Sequence, residues 1–579
     1  MLLEKLKEYS ERIEQTPIMY KKTPIKWIID LDATGKFNGF VPTSNESSSG
    51  KKKDKGKEFL APTIGKTINI TAKLFAENEI YTFGMAKIGK DKVWSSKRHE
   101  YYKALINRCT VKTTCPSVMA VKRFYESYQD GSIVMPEDFQ PGDLLTFRVD
   151  GTFPIDEPSV RSFWASEFAD KQECGQGAAR TCLVCGHKKP IVDRLPLKIK
   201  GIPGNKAEYA LVSHNEEAFR SYGLEASLNS PICHECGEGF GKALNDLIEK
   251  PNTHITIGSM VYVFWTREAA EYDIISLFRD PQPEDVKKLL SKPLTGERAF
   301  AQDDPLFYCA AFSASGARAV VRDWVVTTLG DVQRSLARYF RMQALVKWDG
   351  SEGEPLPLWS LIKSLVIGKE EIPANIPKTL IRFAFNGGEL PMSLIFQAAK
   401  RERAEIGADK KDKNKYTEYL FRNRSRIALI KMVLMSRKEF LNKEEAMEKI
   451  DLSNENPAYL CGRLFGVIES VQRTAMPGVN TTVADRFYGT ASTAPASVFG
   501  KLMKGCQNHL GKLGKEKPGA CKYLEDDLMA VTGRLKAFPA ILSLEEQGLF
   551  ALGYYHQKAY RASQVSERKA KRVEEEAGE

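Results

Sequence analysis

Two pairs of cysteines with identical spacing are the residues of this sequence best suited to chemistry. Two residues separate Cys182 from Cys185 and Cys233 from Cys236, and a glycine follows each pair. Two thiolates at this spacing can chelate one tetrahedral ion, and a second pair closes the shell without leaving a position for water. We therefore predict a structural Zn²⁺ site of four cysteines rather than a catalytic one.

Other possible ligands near these pairs lack such regular spacing. His187, His214 and His234 are possible substitutes for one cysteine, and Cys174 is a weaker fifth candidate, although each also fits an ordinary surface or turn position. The segment 186–232 between the pairs is longer than in small zinc ribbons, so it must form a folded insertion. Cysteines clustered in a chain without an export signal favour reduced thiols and a cytoplasmic protein.

Basic residues are concentrated in two segments of a chain whose net charge is +11. Residues 87–123 hold ten lysines and arginines against two acids, and residues 180–206 hold seven against one. Charge concentrated in this way is the electrostatic footprint of a polyanionic partner. The simpler alternative is a pair of solvated surface faces.

A predicted helix in the first basic segment has the composition of a phosphate-binding face. Its cations are Lys97, Arg98, Lys103 and Arg108. Tyr101 and Tyr102 stand beside them and are available for packing or for stacking on bases. We expect this helix to follow a nucleic-acid backbone.

Two further pairs of cations are candidate DNA contacts. Lys198 and Lys200 stand in a loop of the insertion, where glycines would let the backbone approach a phosphate. Arg318 and Arg322 are four residues apart on a predicted helix. They would contact either a nucleic-acid backbone or acids of a protein partner, and the sequence leaves both alternatives open.

The periodicity of apolar residues predicts an α+β fold. Strand-like runs at 25–32, 79–87, 143–150 and 255–266 alternate with helical stretches, whereas helices dominate from about residue 313 onward. We predict a mixed N-terminal region with an inserted four-cysteine, zinc-bound segment, followed by an all-helical C-terminal bundle. The expected domains are 1–170 (N-terminal α/β region), 171–250 (zinc-knuckle insertion), 251–446 (a strand and then connecting helices) and 447–579 (helical bundle).

The bundle prediction depends on two apolar stripes with helical spacing. Asn456-Pro457 is a good N-cap and first-turn pair for the first helix. The stripes are Leu460, Leu464, Val467 and Val471, and then Leu524, Leu528, Val531 and Leu535. Each is too short to be stable alone, so we expect them to pack together. The charged end, 568–579, is expected to fray.

Recognisable catalytic patterns are missing from the sequence. Gly65-Lys66-Thr67 resembles the end of a Walker A loop, but Leu60 stands where the first glycine is required. Nothing assembles into nucleophile, base and oxyanion donor. We expect a binding protein. The alternatives are a stand-alone zinc-containing nuclease or nucleic-acid-modifying enzyme, whose carboxylates would converge from distant positions, and a scaffold for other proteins.

Several strings between residues 60 and 500 occur in the order of a known family. They lie at 66–84, 97–102, 182–186, 197–204, 211–223, 313–324, 456–465 and 485–494. On these strings the sequence resembles the large subunit of the type I-C CRISPR Cascade complex, the Csd large-subunit family. The resemblance implies a non-catalytic subunit of a crRNA-guided complex that checks the protospacer-adjacent motif in duplex DNA and helps to open the duplex. Such a subunit also holds the displaced strand.

The resemblance further implies partners and candidate residues. The partners are target DNA, the backbone, crRNA 5′-end-binding and small subunits of Cascade, and the helicase-nuclease. Recognition of the DNA motif would involve the loop with Lys66, Thr67 and Asn69, and the helix-like run that ends at Lys73. Because the family commonly has an asparagine where this chain has Lys73, either Asn69 or Asn78 is expected to take over its amide contact.

A last implication concerns the small subunit, which type I-C systems produce by internal translation from the large-subunit gene. Met447 stands just ahead of the Asn456-Pro457 helix start, so initiation there would release the C-terminal bundle. Met476 would cut into the first helix and is a poorer start.

Overall fold

The computed structural model describes the chain except residues 14–16, 18, 44–55, 65–69, 87–88, 90–91, 130–131, 174–178, 215, 269–273, 292–303, 367–369, 407–412, 438–446 and 578–579. The chain divides into two compact units, one of residues Met1–Ile199 and Ala210–Leu244, the other of Lys200–Tyr209 and Asn245–Glu579. Small sheets precede a helical C-terminal region, which confirms the predicted fold class. The division into four domains stays a prediction.

The first unit combines short strands with helices. Its strands are β1 (Tyr20–Ile25), β2 (Trp27–Leu31), β3 (Phe37–Pro42), β4 (Lys57–Pro62), β5 (Glu77–Asn78), β6 (Leu144–Val149), β7 (Arg180–Thr181) and β8 (Lys188–Lys189), followed at the boundary by β9 (Ile199–Lys200) and β10 (Glu208–Tyr209). Its helices are α1 (Leu2–Ser10), α2 (Glu79–Phe83), α3 (Lys92–Thr113), α4 (Pro116–Ser127), α5 (Pro158–Glu173) and α6 (His234–Glu249), whose last residues belong to the second unit.

A four-stranded sheet of order β3-β2-β6-β5 organises the core of this unit. Strands β2 and β3 pair antiparallel as a hairpin, and an Asp32 carboxylate oxygen accepts hydrogen bonds from the backbone N–H groups of Thr34 and Lys36, each 2.9 Å long. Between them Gly35 has a φ of +91°, which glycine adopts without strain. The strand predicted at 143–150 is β6, which pairs parallel with β2.

Two predictions for residues 71–87 are wrong. The predicted strand 79–87 begins instead with helix α2, which follows the two-residue strand β5 and has its C-cap at Gly84 with a φ of +70°. The predicted helix-like run 71–73 is irregular, because the backbone N–H of Lys73 donates to a Glu77 carboxylate oxygen at 2.9 Å instead of entering a helix. Local side-chain hydrogen bonds of this kind compete with regular backbone pairing.

The second unit consists of one sheet and a large set of helices. Its strands are β11 (His254–Ile257), β12 (Met260–Thr266), β13 (Leu306–Ser315) and β14 (Arg318–Thr328), which pair antiparallel in that order. Its further helices are α7 (Ile274–Arg279), α8 (Pro283–Ser291), α9 (Leu329–Gln343), α10 (Leu358–Lys363), α11 (Asn375–Asn386), α12 (Ser393–Glu405), α13 (Lys413–Met435), α14 (Pro457–Ala475), α15 (Val483–Ala491), α16 (Phe499–Glu516), α17 (Pro518–Thr532) and α18 (Leu544–Ala577).

The helical region begins later in the sequence than the predicted residue 313. Residues 313–328 lie in β13 and β14, a ladder that runs from Leu306 opposite Thr328 to Ser315 opposite Arg318. The run 318–328 is rich in valine, threonine and tryptophan, which favour a pleated surface over a helix. The run predicted at 255–266 is likewise two strands, β11 and β12, joined at Gly258 with a φ of +60°.

The C-terminal helices form as the apolar stripes predict. The side-chain oxygen of Asn456 accepts hydrogen bonds from the backbone N–H groups of Ala458 and Tyr459 at 2.9 and 3.2 Å, which confirms the cap of α14. All stripe residues are buried except Leu535, which follows the end of α17 and is half-buried. The predicted fraying of 568–577 is wrong in this structure, since α18 continues to Ala577.

Helices α14 and α18 cross at two glycines. A Cβ atom added to Gly462 would lie 2.0 Å from the carbonyl oxygen of Phe550, and one added to Gly553 would lie 2.2 Å from that of Tyr459. No side chain fits at such distances, so only glycine allows this approach of the two backbones. The crossing belongs to one apolar core that extends from the β11–β14 sheet through α18.

Candidate metal centre and basic surfaces

The four predicted cysteines converge in the first unit. The sulfur atoms of Cys182, Cys185, Cys233 and Cys236 all lie within 4.8 Å of one another. A tetrahedral ion with Zn–S bonds of about 2.3 Å requires sulfur atoms about 3.8 Å apart. Since Cys185 and Cys233 are already at 4.0 Å, the donor set fits a metal ion after only small movements.

The first cysteine pair lies on a tight turn between β7 and β8. The backbone N–H of Cys182 donates to the carbonyl of His187 at 2.9 Å, and that of Gly186 donates to the carbonyl of Cys182 at 2.9 Å. Gly186 has a φ of +73°, a left-handed conformation that favours glycine. The sequence therefore folds this segment into a knuckle that presents both sulfurs on one side.

The second pair stands at the start of α6, and its glycine has a different role from Gly186. Gly237 is helical, and a Cβ atom there would lie 3.1 and 3.2 Å from the side chains of Leu195 and Pro196. The glycine thus permits close packing. The backbone N–H of Cys233 donates to the sulfur of Cys182 at 3.4 Å, which links the two pairs directly.

The surroundings of the cluster favour the thiolate form of Cys182 and disfavour the thiolate forms of Cys233 and Cys236. Burial raises the pKa of Cys182, but hydrogen bonds from the backbone N–H groups of Cys185, Cys233 and Val184 outweigh it and lower the pKa to about 7. Burial raises the pKa of Cys233 and of Cys236. A bound cation would supply the positive charge needed to hold all four sulfurs as thiolates.

Two of the alternative ligands contact other side chains, and His187 is exposed. The ring of His214 lies 2.6 Å from the hydroxyl of Ser230, and the ring of His234 lies 3.6 Å from the carboxylate of Glu238. In the part of the chain that the structure describes, the only cluster suited to a metal consists of the four cysteines. Cys174 lies outside the described residues.

Backbone contacts at the cluster hold both ends of the 186–232 insertion. The N–H of Val192 donates to the carbonyl of Ile232 at 3.0 Å, and the N–H of Leu183 donates to that of Pro231 at 2.9 Å. Ile191 also forms an isolated bridge with Cys233. The metal site would therefore stabilise the insertion and its basic residues.

The cations of α3 do not form the single face that the composition suggested. Residues advance by about 100° in a helix, so Lys97 and Arg108 share the solvent side while Arg98 and Lys103 flank the buried stripe on opposite sides. The helix itself is confirmed. Tyr102 is fully buried in the core and is not available for stacking, whereas Tyr101 is half-buried.

Two of these arginines are held by neighbouring groups. The Arg98 guanidinium lies 3.4 Å from the centre of the Trp94 ring and donates to the Trp94 carbonyl at 3.0 Å. Arg108 forms two hydrogen bonds of 3.2 Å to the carboxylate of Glu167. Both cations are thereby oriented before any ligand binds.

The residues expected to recognise a DNA motif are described in part. Lys66, Thr67 and Asn69 lie outside the described residues. Asn78 occupies the N-cap position of α2, and its buried side-chain oxygen has no hydrogen-bond partner in the described structure. Lys73 lies in the irregular segment before β5.

The remaining candidate cations lie on strands and loops. Lys198 is exposed, and the ammonium group of Lys200 lies 3.5 Å from the carboxylate of Glu208. Arg318 and Arg322 are on strand β14, so their helical placement is wrong. The guanidinium of Arg322 donates to the hydroxyl of Ser313 at 2.7 Å, where the register of β13 and β14 shifts.

Comparison with known proteins defines the class of this chain. The family model described as CRISPR-associated protein (Cas_Csd1) matches residues 3–562. The chain belongs to this family, as the sequence resemblance predicted, and the match is consistent with the large subunit of a type I-C Cascade. No curated protein matches the chain.

Hydropathy adds one separate finding. Among the described residues, no helix is both long enough and apolar enough to span a membrane.

Proposed function

We propose that this protein is the non-catalytic large subunit of a crRNA-guided type I-C surveillance complex. In this role it recognises the protospacer-adjacent motif, aids R-loop formation, holds the displaced strand and helps to recruit the helicase-nuclease. The observation that carries the proposal is the family match across residues 3–562. The partners are the crRNA-containing Cascade subunits and target DNA in the cytoplasm.

The basic surfaces support a role in opening DNA. Exchange of a DNA duplex for an RNA–DNA duplex is nearly balanced in free energy, so modest contacts to the phosphate backbone can favour it. The exposed side of α3, with Lys97 and Arg108, offers such contacts. Each lysine or arginine that neutralises a phosphate releases counterions, so binding should weaken steeply with salt.

The cysteine cluster has a structural role in this proposal. Four cysteine ligands fill the tetrahedral shell of Zn²⁺ and leave no position for a substrate or a reactive water. The ion would be held by Cys182, Cys185, Cys233 and Cys236, and it would maintain the knuckle against the start of α6. DNA binding then belongs to basic residues, among them Lys198 and Lys200, and not to the ion.

A cleavage assay separates this proposal from a stand-alone nuclease. The purified chain is incubated with target duplex and with single-stranded DNA in the presence of Mg²⁺, Mn²⁺ or Zn²⁺. We expect both substrates to stay intact. Metal-dependent cleavage that is retained through further purification would contradict the non-catalytic role.

R-loop formation provides the positive test. Unpaired thymines of the displaced strand react with permanganate, so their reactivity can be compared in complexes with and without this chain. We expect target-dependent reactivity only in the complete complex. Equal reactivity in the complex without the chain would contradict a role in opening DNA.

A further inference from the structure

The outer face of α16 is a basic surface that the two segments of high charge did not include. Residues 499–517 contain five lysines and one acid, Glu516. The buried side of the helix consists of Phe499, Leu502, Cys506, Leu510 and Leu513, and all five lysines are exposed. Burial of the apolar stripe explains why this segment packs as a helix. It does not explain why the exposed side is rich in lysine.

Four of the lysines form two rows along the helix. Lys501 and Lys512 are eleven residues apart, and so are Lys504 and Lys515. Eleven residues make about three turns, so each pair returns to within about 20° of the same direction, about 16 Å along the axis. The rows therefore present positive charge along one continuous side.

Few acids neutralise this side. Lys512 lies 3.8 Å from the Glu516 carboxylate and also donates to the carbonyl of Ala475 at 3.1 Å. Lys504 and Lys515 have no ion pair with any described residue. Repulsion among exposed lysines destabilises a helix slightly, so the rows do not contribute to folding.

Aromatic rings lie beside the lysines. The ammonium group of Lys501 lies 5.5 Å from the centre of the Phe487 ring. On the neighbouring α17, Tyr523 is 43% exposed, and the Arg568 guanidinium lies 3.4 Å from its ring centre. Lysines interspersed with rings are typical of surfaces that bind single strands, whose bases are free to stack. The bases of a duplex are already stacked on each other.

The backbone of α16 is also accessible beside the row of Lys504 and Lys515. A Cβ atom added to Gly500 or Gly511 would meet no atom within 4 Å, so packing does not require glycine at either position. Glycine lowers the stability of a helix relative to alanine. Its presence on the exposed side, next to the row of Lys504 and Lys515, leaves room for a ligand backbone along that row.

We propose that the lysine face of α16 binds the phosphodiester backbone of single-stranded DNA. The choice of DNA among polyanions rests on the proposed function, whereas the face itself follows from charge and exposure. The central contacts are Lys504 and Lys515, with Lys501 and Lys512 beside them.

The test measures binding of the full-length chain to fluorescent oligothymidine at several salt concentrations. In the variant with Lys504→Ala and Lys515→Ala, the slope of log K against log salt should fall by about 1.4, since each phosphate contact to a single strand contributes about 0.7. Lys400→Ala, at an exposed position of α12, is the matched control and should leave the slope unchanged. An unchanged slope in the double variant would overturn the proposal.

A glycine variant separates loss of binding from loss of folding. Gly511→Leu adds a good helix former in open space, so the unfolding midpoint should not fall, but the side chain should weaken oligothymidine binding several-fold. Undiminished binding by this variant would contradict an approach of the DNA to the helix. A larger loss on duplex DNA than on the single strand would contradict the choice of ligand.

Failure of this proposal differs from failure of the proposed function. If the wild-type chain binds oligothymidine but the α16 variants match it, the site is wrong and the function stands. If the wild-type chain does not bind and complexes open DNA without it, the proposed function is wrong.

Discussion

The sulfur atoms of Cys185 and Cys233 lie 4.0 Å apart, although 48 positions separate the two residues in the sequence. This approach closes the 186–232 insertion at both ends. It also places the turn between β7 and β8 directly against the start of α6, so the four-cysteine cluster and the local fold depend on each other.

Loss of one cysteine should abolish metal binding. Cys233→Ser removes a soft ligand and leaves an open shell, so we expect the metal content to fall from about one ion per chain to nearly none. Elemental analysis after dialysis measures the content. Cys521→Ser is the control, because that sulfur donates to the Leu510 carbonyl on α16 and lies outside the cluster. Full metal content in Cys233→Ser would contradict the four-cysteine site.

Crowding at the crossing of α14 and α18 should make Gly462→Ala strongly destabilising. The new Cβ would lie 2.0 Å from the carbonyl oxygen of Phe550, so the helices must separate, and we expect a loss of about 3 kcal/mol. Urea denaturation measures the change. Gly489→Ala, in open space on α15, should be neutral or slightly stabilising. Equal stability of both variants would rule out close packing at this crossing.

The buried ring of His556 should make folding sensitive to acid. Burial and the nearby Lys431 lower its pKa to about 3, whereas an unfolded histidine has a pKa of about 6.5. Protons therefore bind preferentially to the unfolded chain between these values. The stabilisation is complete above about pH 6.5 and is lost as the pH falls, by up to about 1.4 kcal/mol per pH unit.

The comparison of His556→Gln with the wild type isolates this effect. The variant should be less stable near neutral pH, because the ring accepts or donates a 2.8 Å hydrogen bond with the Tyr459 hydroxyl, but its stability should depend less on pH below 6.5. His509→Gln, on α16, serves as control. Parallel urea midpoints for wild type and His556→Gln from pH 7 to pH 5 would refute a neutral buried ring.

Internal initiation at Met447 is the prediction that concerns expression. Replacement of the Met447 codon by a leucine codon should remove a short C-terminal product detected with an antibody against the last residues. The same replacement at Met476 should leave the product in place. A short product unchanged by the Met447 replacement would show that initiation occurs elsewhere.

The structure adds an expectation for that product. In the full chain α18 packs against α12 and α13 as well as α14, and all of them belong to one apolar core. A released segment 447–579 would expose the side of α18 that covers α13. We therefore expect the free product to self-associate or to require a Cascade partner, which size-exclusion chromatography can measure.

The four-cysteine cluster and the bundle could be predicted from the sequence because their signals are local. Spacing within each Cys-x-x-Cys pair defines a chelate, and Asn456-Pro457 defines a helix start regardless of the rest of the chain. By contrast, the four-residue spacing of Arg318 and Arg322 fits one side of a helix and one face of a strand equally well. Only the pairing of this segment with β13 shows that it is a strand. Glu77 directs the segment before α2 through a side-chain hydrogen bond that no periodicity reveals.

The sequence shows which helix carries the cations of the first basic segment, but it does not show how their side chains are oriented. The cations of α3 are present as expected, yet partners such as Glu167 and Trp94 determine where they point. The lysines of 499–517 alternate with apolar residues, so the sequence shows no uninterrupted basic run there. Their exposed, unneutralised side becomes visible only after the buried stripe of that helix is assigned.

The measurement that tests the central claim most directly is an electrophoretic shift of target duplexes in which the protospacer-adjacent motif is varied. Complexes assembled with and without this chain are compared at the same concentration and salt. We predict that only the complex containing the chain binds the duplexes with a motif preference. An equal preference in the complex that lacks the chain would contradict the assignment of motif recognition to this protein.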